Sequence, residues 1–254
     1  MMFPAVFADP PVLCGHRGLG RGTVDGQREN TLGSFQAAAA AGIGWVEVDA
    51  RLNRDGALVS LHDPAVEGGR LVSELTSAET DELGLMRLAD LFEGLPEEVS
   101  VDLEVKTSLE DALRPRDETT AAIVADLVGR QARDRTVLVS SFDPSAIVIA
   151  RERLPDVPIG LLTWRHFPLR KAIAAAVLLD AQVVAPHFES LVHPQERAVA
   201  ELVKVAHEAG LQVLTWSMGH GDLEDLAALG IDCLCIDDVP AALASPPRWQ
   251  PRPA

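Results

Sequence analysis

The chain of 254 residues carries a formal net charge of −16, with 47% hydrophobic and 24% charged residues, proportions typical of a globular protein. The acidic balance argues against nucleic acid partners and against stable membrane association, because nucleic acids and anionic membranes both select a basic face. No apolar run approaches the ~20 residues of a membrane span, and no basic residue precedes the first apolar residues as in a signal peptide, so we expect a cytoplasmic protein.

Short apolar segments alternate with polar turns along the first part of the chain. They predict, in order, a strand at 12–18, a polar loop at 19–28, a helix at 30–42, a strand at 45–52, a strand at 58–62, a loop at 64–76, two short helices within 77–95 and a strand at 100–106. Asn30 is predicted to cap the first helix, because asparagine is a preferred residue at that position. Asp55-Gly56 is a turn signal, so the strand at 58–62 returns along the strand before it.

Helices and strands alternate regularly in the rest of the chain. The pattern predicts helices at 119–130, 143–154, 169–179, 194–210, 222–230 and after Pro240, strands at 136–142, 158–164, 182–187, 212–217 and 233–236, and a proline-rich tail at 246–254. Asp143 followed by Pro144 is a good helix start. Pro194 and Asp222 are predicted to begin later helices.

Setting aside the strand at 58–62, eight predicted strands alternate with helices at a period of roughly 30 residues. This pattern predicts an α/β fold, a single (β/α)₈ TIM-barrel domain with its core at about 12–244. A doubly wound open sheet is the alternative. In a closed barrel the first and last strands are neighbours, so Cys14 would lie close to Cys233 or Cys235. All three cysteines are in apolar runs without metal spacing and are expected to be reduced core residues.

Carboxylates share one face of two predicted strands. Side chains two positions apart on a strand point the same way, which places Glu47 beside Asp49 and Glu104 beside Lys106. Two unpaired carboxylates on a mostly buried strand would cost roughly several kcal/mol unless a cation meets them, so a divalent metal is an attractive partner. The alternative is a half-exposed edge strand with a hydrated acidic face.

Other polar residues also follow apolar strands. His16 follows the first strand and His62 ends the strand at 58–62, at the downstream ends where α/β barrels and open sheets carry their active sites. The remaining histidines have no motif around them and are expected on the surface or in loops: His166, His187, His193, His207 and His220. Among these, His187 ends a strand and can reach the site.

Five short motifs occur in a fixed order, each at a predicted strand end or turn. They are His16-Arg17-Gly18, Glu29-Asn30-Thr31, Glu47-Val48-Asp49, Asp55-Gly56 leading to His62-Asp63, and Glu104-Val105-Lys106. Together they resemble the glycerophosphodiester phosphodiesterase family. The resemblance is dense over residues 12–106 and thinner at 215–216 and 230–240. It implies a (β/α)₈ barrel and metal-dependent hydrolysis of a small glycerophosphodiester to glycerol 3-phosphate and an alcohol.

The resemblance also implies roles for residues at matching positions. Glu47, Asp49 and Glu104 would bind Ca²⁺ or Mg²⁺, His16 and His62 would be the acid–base pair, Arg17 and Lys106 would hold the phosphate, Glu29 would be a further site residue, and Trp216 would line the pocket for the leaving alcohol. Asn30 would be structural, as the helix cap. In the family a neighbouring substrate hydroxyl is thought to attack first, giving a cyclic phosphate that water then opens.

Three departures from the family pattern concern the surroundings of the site. The loop of ten residues between Gly18 and Glu29 is longer than usual, the segment between Asp63 and Ser100 is shorter, and Asp237-Asp238 replaces the usual Thr-Asp before a proline. We expect these departures to affect the identity of the substrate and to leave the phosphate machinery unchanged.

Three other functions are compatible with parts of the pattern. Lipid-cleaving relatives of the lysophospholipase D and sphingomyelinase D kind share the histidine pair and the metal acids, although the chain lacks a basic or strongly apolar surface stretch. A non-catalytic barrel that binds a phosphorylated ligand would not need both His16 and His62. A metal-dependent aldolase or isomerase would use Lys106 for carbon chemistry.

Overall fold

The computed structural model describes residues 4–132, 135–192, 198–218 and 223–244. In chain order the strands are β1 Val12–Gly15, β2 Thr23–Val24, β3 Gln27–Arg28, β4 Trp45–Leu52, β5 Leu58–Ser60, β6 Ser100–Val105, β7 Val137–Ser141, β8 Ile159–Thr163, β9 Val183–Pro186, β10 Gln212–Met218 and β11 Cys233–Ile236. The helices are α1 Leu32–Ala40, α2 Ser77–Glu82, α3 Leu88–Gly94, α4 Thr120–Gln131, α5 Pro144–Arg153, α6 Leu169–Leu178, α7 Phe188–Leu191, α8 Val199–Glu208, α9 Leu223–Ala228 and α10 Val239–Ala244. Short 3₁₀ helices cover Val72–Glu74, Leu109–Ala112 and Arg116–Glu118.

Eight parallel strands close into a barrel that is surrounded by helices. The order is β1-β11-β10-β9-β8-β7-β6-β4, and β4 pairs with β1 again to complete the ring. β5 adds to β4 in antiparallel orientation. The predicted (β/α)₈ barrel is therefore confirmed and the open sheet is wrong. The predicted neighbourhood of the cysteines is also confirmed, because Cys14 lies opposite Cys235 in the β1–β11 pairing and all three cysteines are free and buried.

Burial follows the alternation of residues on the strands. On β6, Val101, Leu103 and Val105 belong to the main hydrophobic core, whereas Asp102 and Glu104 lie on the opposite face. Both faces are buried, so the polar face is turned into the barrel. The alternative of a half-exposed acidic edge strand at 45–52 is therefore wrong, since seven of the eight residues of β4 are buried.

A segment at the start of the chain closes the end of the barrel where the parallel strands begin. Phe7 is fully buried against the first residue of β4, with its ring centroid 5.0 Å from that of Trp45. Gln212, the first residue of β10, accepts a hydrogen bond from the Phe7 N–H at 2.9 Å and donates one to the Phe7 carbonyl at 3.0 Å. The interior at this end is therefore filled by apolar side chains and the three cysteines.

The N-cap of α1 differs from the prediction. Thr31 is the cap, with its side chain accepting a hydrogen bond from the Ser34 N–H at 3.3 Å. Asn30 has a left-handed backbone with φ of 57°, whereas a capping residue is normally extended. The prediction of Asn30 as cap is therefore wrong, because two good capping residues are adjacent and the backbone selects the second.

The loop predicted at 19–28 contains a small hairpin. β2 and β3 pair in antiparallel orientation around Asp25 and Gly26, whose φ values of 46° and 77° suit a two-residue turn. The predicted starts of two later helices at Pro194 and Asp222, and the tail at 246–254, lie outside the described residues. None of the helices in the described ranges is long and apolar enough to cross a membrane.

β1 ends earlier than predicted because the chain turns sharply after Gly15. The Gly18 N–H donates to the Gly15 carbonyl at 3.2 Å, and a Cβ added at Gly15 would overlap the carbonyl oxygen of Gly18. Arg17, inside this turn, has a left-handed φ of 55°. The turn directs the side chains of His16 and Arg17 toward the end of the barrel where the strands finish.

We expect Gly15→Ala to destabilise the fold by about 1–3 kcal/mol, because the added methyl group must displace backbone. Gly44→Ala is the matched control, since a Cβ at Gly44 would meet no atom within 4 Å and the substitution should change stability by less than about 0.5 kcal/mol. Urea unfolding of both variants measures the difference. Equal stability of the two variants would show that the turn relaxes freely.

Candidate active site

The predicted site residues come together where the barrel strands end. A cleft of about 580 Å³ opens there, and the six predicted residues that line it are His16, Arg17, His62, Glu104, Lys106 and Trp216. Glu47 and Asp49 contact these residues from β4, and Glu29 contacts Arg17 from the segment after β3. The structure thus brings all nine predicted site residues to one end of the barrel.

Glu47, Asp49 and Glu104 form a buried acidic triad. One carboxylate oxygen from each lies within 4.8 Å of the others. The β4–β6 register explains this proximity, because Asp49 is directly opposite Glu104 and Glu47 is two residues earlier on the same face. The triad supplies only oxygen atoms, which are the ligands preferred by hard divalent cations.

Two cations partly neutralise the triad. The Lys106 ammonium lies 3.1 Å from Asp49 Oδ1 and forms an ion pair with Glu104, and Arg17 Nε lies 3.4 Å from Asp49 Oδ2. Burial alone would raise the pKa of Asp49, but Lys106 and Arg17 outweigh it and hold that pKa at about 2. Asp49 is therefore the carboxylate whose charge the protein itself compensates.

The other two carboxylates remain under-compensated. Burial, followed by the charges of Asp49 and Glu104, raises the pKa of Glu47 well above its usual value. Burial likewise raises the pKa of Glu104 to about 7 despite the nearby Lys106. Within the described part of the chain, no hydrogen bond or ion pair reaches Glu47 Oε1. The triad therefore fits a divalent cation, which would supply the missing positive charge.

His16 is held by Asp237, a residue that was not among the predicted site residues. Its Nδ1 forms a hydrogen bond with the carboxylate of Asp237, and its Nε2 lies 3.7 Å from Glu47 Oε2. Asp237, one of the two residues that replace the usual Thr-Asp, therefore contacts a predicted site residue directly, whereas this departure was expected to concern only the identity of the substrate. The pairing of the first and last barrel strands is the signal that could have identified this contact, since Asp237 follows β11 as His16 follows β1.

His62 is fixed by two further groups that were not assigned. Asp63 Oδ1 lies 2.7 Å from His62 Nδ1. Arg51 Nε, on β4, donates hydrogen bonds to the carbonyls of Leu61 at 3.1 Å and His62 at 3.0 Å. Burial lowers the pKa of His62, partly offset by Asp49. Arg51 also lines the cleft, and its two-residue spacing from Asp49 on one strand is the signal that could have identified it.

Arg17 is anchored through both its backbone and its side chain. The Arg17 N–H donates to Glu47 Oε2 at 2.9 Å, and Nη1 donates to Glu29 Oε1 at 2.9 Å. Glu29 also accepts a hydrogen bond from the Gly22 N–H. Glu29 therefore acts on the site through Arg17, and it ties that side chain to the 19–28 loop.

Asn30 links the acidic triad to β5. Its side-chain amide donates to Asp49 Oδ2 at 2.7 Å, and its Oδ1 accepts a hydrogen bond from the Ser60 hydroxyl at 2.7 Å. The Asn30 N–H donates to the Arg17 carbonyl at 3.0 Å. Asn30 is structural, as expected, but it orients Asp49 and does not cap α1.

Aromatic side chains form one wall of the cleft. Trp216 is fixed by a hydrogen bond from its Nε1 to the Ala185 carbonyl at 3.1 Å, and its ring packs edge-on against Phe142 with centroids 5.3 Å apart. Trp164 stacks on the other side of Phe142 at 4.1 Å. Phe142 and Trp164 were not predicted, because each follows its strand in an apolar context that resembles ordinary core sequence.

The other histidines in the described ranges do not line the cleft. His187 is buried, caps α7 and packs against Trp216 with ring centroids 4.5 Å apart, so it is not a surface residue and lies beside the predicted site, as its position at the end of a strand allowed. His207 forms a hydrogen bond with Asp232 at 2.8 Å before β11. His166 is about half-exposed. His193 and His220 lie outside the described residues.

The sequence matches one protein family over most of its length. Residues 16–241 match the glycerophosphoryl diester phosphodiesterase family. The chain is 24% identical over 237 residues to a glycerophosphodiester phosphodiesterase of Caldanaerobacter subterraneus subsp. tengcongensis, covering 86% of this chain and 92% of that protein. It is also 24% identical over 304 residues to a glycerophosphodiester phosphodiesterase of Arabidopsis thaliana, covering 95% of this chain and 79% of that protein.

Solved structures share the fold. A phosphodiesterase of Oleispira antarctica, solved in complex with the product sn-glycerol-3-phosphate, matches with a TM-score of 0.74 at 23% identity, covering 92% of this chain and 97% of that chain. A glycerophosphodiester phosphodiesterase of Thermotoga maritima matches with a TM-score of 0.72 at 20% identity, covering 92% and 96%.

The matched family region includes all nine predicted site residues and the cleft that they form. The family is generally dependent on a divalent metal, in agreement with the acidic triad. An aldolase or isomerase activity is therefore not supported. The chain belongs to the glycerophosphoryl diester phosphodiesterase family of phosphoric diester hydrolases.

Proposed function

We propose that this protein hydrolyses small glycerophosphodiesters to glycerol 3-phosphate and an alcohol, with a divalent cation held by Glu47, Asp49 and Glu104. One observation carries the proposal: the buried triad, with oxygens within 4.8 Å of one another, adjoins a cleft that both His16 and His62 line. The product bound in the Oleispira antarctica relative is of the same chemical class as the product proposed here.

The cleft suits a small phosphodiester in size and charge. Its volume of about 580 Å³ is within the range of small-molecule sites. Arg17 and Lys106 line it and present positive charge to a phosphate, although the whole chain is acidic. Trp216 and Phe142 offer an apolar wall on the side where we place the leaving alcohol.

The acidic triad would hold Ca²⁺ or Mg²⁺, since all of its donor atoms are carboxylate oxygens. A bound ion would stabilise negative charge on the phosphoryl oxygens during the reaction. Lys106 and Arg17 already contact the triad, so these side chains lie close to the site of that charge. Their role is to bind and orient the phosphate.

The histidine pair would transfer the protons. One histidine accepts the proton of the substrate hydroxyl next to the phosphate as that oxygen attacks phosphorus. The other donates a proton to the oxygen of the leaving alcohol as its bond to phosphorus breaks. The product is a cyclic phosphate, and water opens its ring with the two proton transfers reversed. Imidazoles suit this task because they exchange protons near neutral pH.

Glycerophosphocholine and glycerophosphoethanolamine should release glycerol 3-phosphate with the purified protein in Ca²⁺ or Mg²⁺, and not in EDTA. A ³¹P NMR time course should show the cyclic phosphate before the final product if the substrate hydroxyl attacks first. Lysophosphatidylcholine is the comparison substrate. Release from the lysophospholipid alone would favour a lysophospholipase D activity. No release from any substrate by folded protein would leave phospho-ligand binding as the function.

Glu47→Gln should abolish the stabilisation by Mg²⁺ or Ca²⁺ and lower activity by roughly 100-fold or more, because it removes a charged ligand without changing shape. The variant should be at least as stable as the wild type without metal, since it replaces an under-compensated buried carboxylate. Glu97→Gln, at an exposed position before β6, is the control. Melting temperatures with and without metal measure the effect. A normal metal response in Glu47→Gln would exclude Glu47 as a ligand.

His16→Ala and His62→Ala should each lower kcat by about 10²–10⁴-fold while retaining the rise in melting temperature with metal. The reason is that each variant removes a proton-transfer group and leaves the acidic triad intact. His207→Gln is the control, because His207 is hydrogen-bonded to Asp232, which precedes β11 and so lies at the opposite end of that strand from the site. This variant should retain kcat. Wild-type kcat in either active-site variant would remove that histidine from the mechanism.

A further inference from the structure

The pairing of His16 with Asp237 follows from how the barrel closes. β1 and β11 are parallel neighbours with Gly15 opposite Ile236, and the His16 N–H continues the ladder by donating to the Ile236 carbonyl at 3.1 Å. The next residue after β11 is therefore beside the first residue after β1. The hydrogen bond between His16 Nδ1 and the Asp237 carboxylate joins positions 221 residues apart.

The backbone of Asp237 is itself fixed on both sides. Its N–H donates to the Met218 carbonyl at 3.3 Å, and its carbonyl accepts from the Arg21 N–H at 2.9 Å. Gly20 lies so close that an added Cβ would overlap the Asp237 carbonyl oxygen. The Asp237 carboxylate is therefore presented to His16 from a backbone that β10 and the 19–28 loop hold in place.

A carboxylate at this position dictates how the imidazole is protonated. An ionised carboxylate only accepts hydrogen bonds, so the shared proton belongs to His16 Nδ1, and Nε2 carries the lone pair in the neutral ring. His16 Nε2 lies 3.7 Å from Glu47 Oε2, beyond hydrogen-bond distance, so this nitrogen remains available to the cleft.

The two histidines differ in how well their carboxylate partners are sheltered. The His16 and Asp237 side chains are 8% and 24% exposed, whereas those of His62 and Asp63 are 40% and 75% exposed. A hydrogen bond in the drier environment competes less with water and restrains the ring more strongly. His16 is therefore restrained by its carboxylate partner more strongly than His62 is by Asp63.

We propose that Asp237 is a positioning residue that fixes the tautomer and the ring orientation of His16, so that Nε2 faces the reacting phosphodiester. The inference rests on the proposed function for its catalytic consequence, but the constraint on His16 can be measured without turnover. A threonine hydroxyl at this position would both donate and accept hydrogen bonds and would not impose one tautomer.

Asp237→Ala should lower kcat by about 10- to 100-fold with KM changed by less than about twofold, because the ring remains but is no longer oriented. Asp237→Asn should also lower kcat, since its amide can donate or accept, and it guards against misfolding from lost volume. Asp238→Ala is the matched control. Asp238 caps α10 by accepting from the Ala241 N–H at 2.9 Å, so its loss should cost about 1 kcal/mol of stability and spare kcat.

Long-range ¹H–¹⁵N NMR spectra of the histidine rings provide the readout that a purely structural role would not change. At mildly alkaline pH the wild type should show His16 protonated at Nδ1, with the signals identified by their absence in His16→Gln. Asp237→Ala should shift His16 toward protonation at Nε2, and Asp238→Ala should not.

Wild-type kcat in Asp237→Ala, or an unchanged His16 tautomer, would overturn the positioning role. An inactive wild type would instead reject the proposed hydrolysis, and the spectra would still decide whether Asp237 controls His16. Loss of kcat together with the tautomer change, in variants that retain their melting temperature, supports both proposals.

Discussion

The closure of the barrel at β1 is the constraint on which the site depends. β1 lies between β11 and β4, so its last residues meet groups from both ends of the chain. On one side this brings His16 to Asp237, and on the other it brings Arg17 to Glu47 and Asp49. A parallel barrel places all its strand ends at one rim, and the hydrogen-bond register then decides which side chains touch. The contacts that His16 and Arg17 make with the other site residues therefore depend on the closure of the barrel.

The same closure concentrates an excess of negative charge. Three buried carboxylates meet two buried cations, and the raised pKa values of Glu47 and Glu104 show that the compensation is incomplete. Such an arrangement is unfavourable for stability by itself, because desolvation of a charge costs more than an imperfect ion pair returns. The excess negative charge suits a divalent cation, and hydrogen bonds from Asn30 to Asp49 and from Arg17 to Glu47 hold the triad in place.

Most of the fold and the acidic triad could be predicted from the sequence, because both depend on local periodicity. Alternation puts Glu47 and Asp49 on the polar face of β4 and Glu104 on the polar face of β6, and the parallel pairing of the two strands brings the three carboxylates together. The contacts that the sequence did not predict depend on a backbone dihedral angle or on pairing between strands that are far apart in the sequence. Thr31 rather than Asn30 caps α1 because of one dihedral angle, and Asp237 reaches His16 only through the β1–β11 register. Cys14 was expected near Cys233 or Cys235 because β1 and β11 are neighbours, and the same pairing, followed two residues further, brings His16 beside Asp237.

The apolar closure at the other end of the barrel has a consequence for how the acidic triad can be reached. Phe7 and Trp45 fill the end where the strands begin, so the carboxylates of the triad are reached from the cleft alone in the part of the chain described. A cation held by these carboxylates would enter and leave through the cleft, and a phosphodiester bound in the cleft would stand between that cation and the solvent.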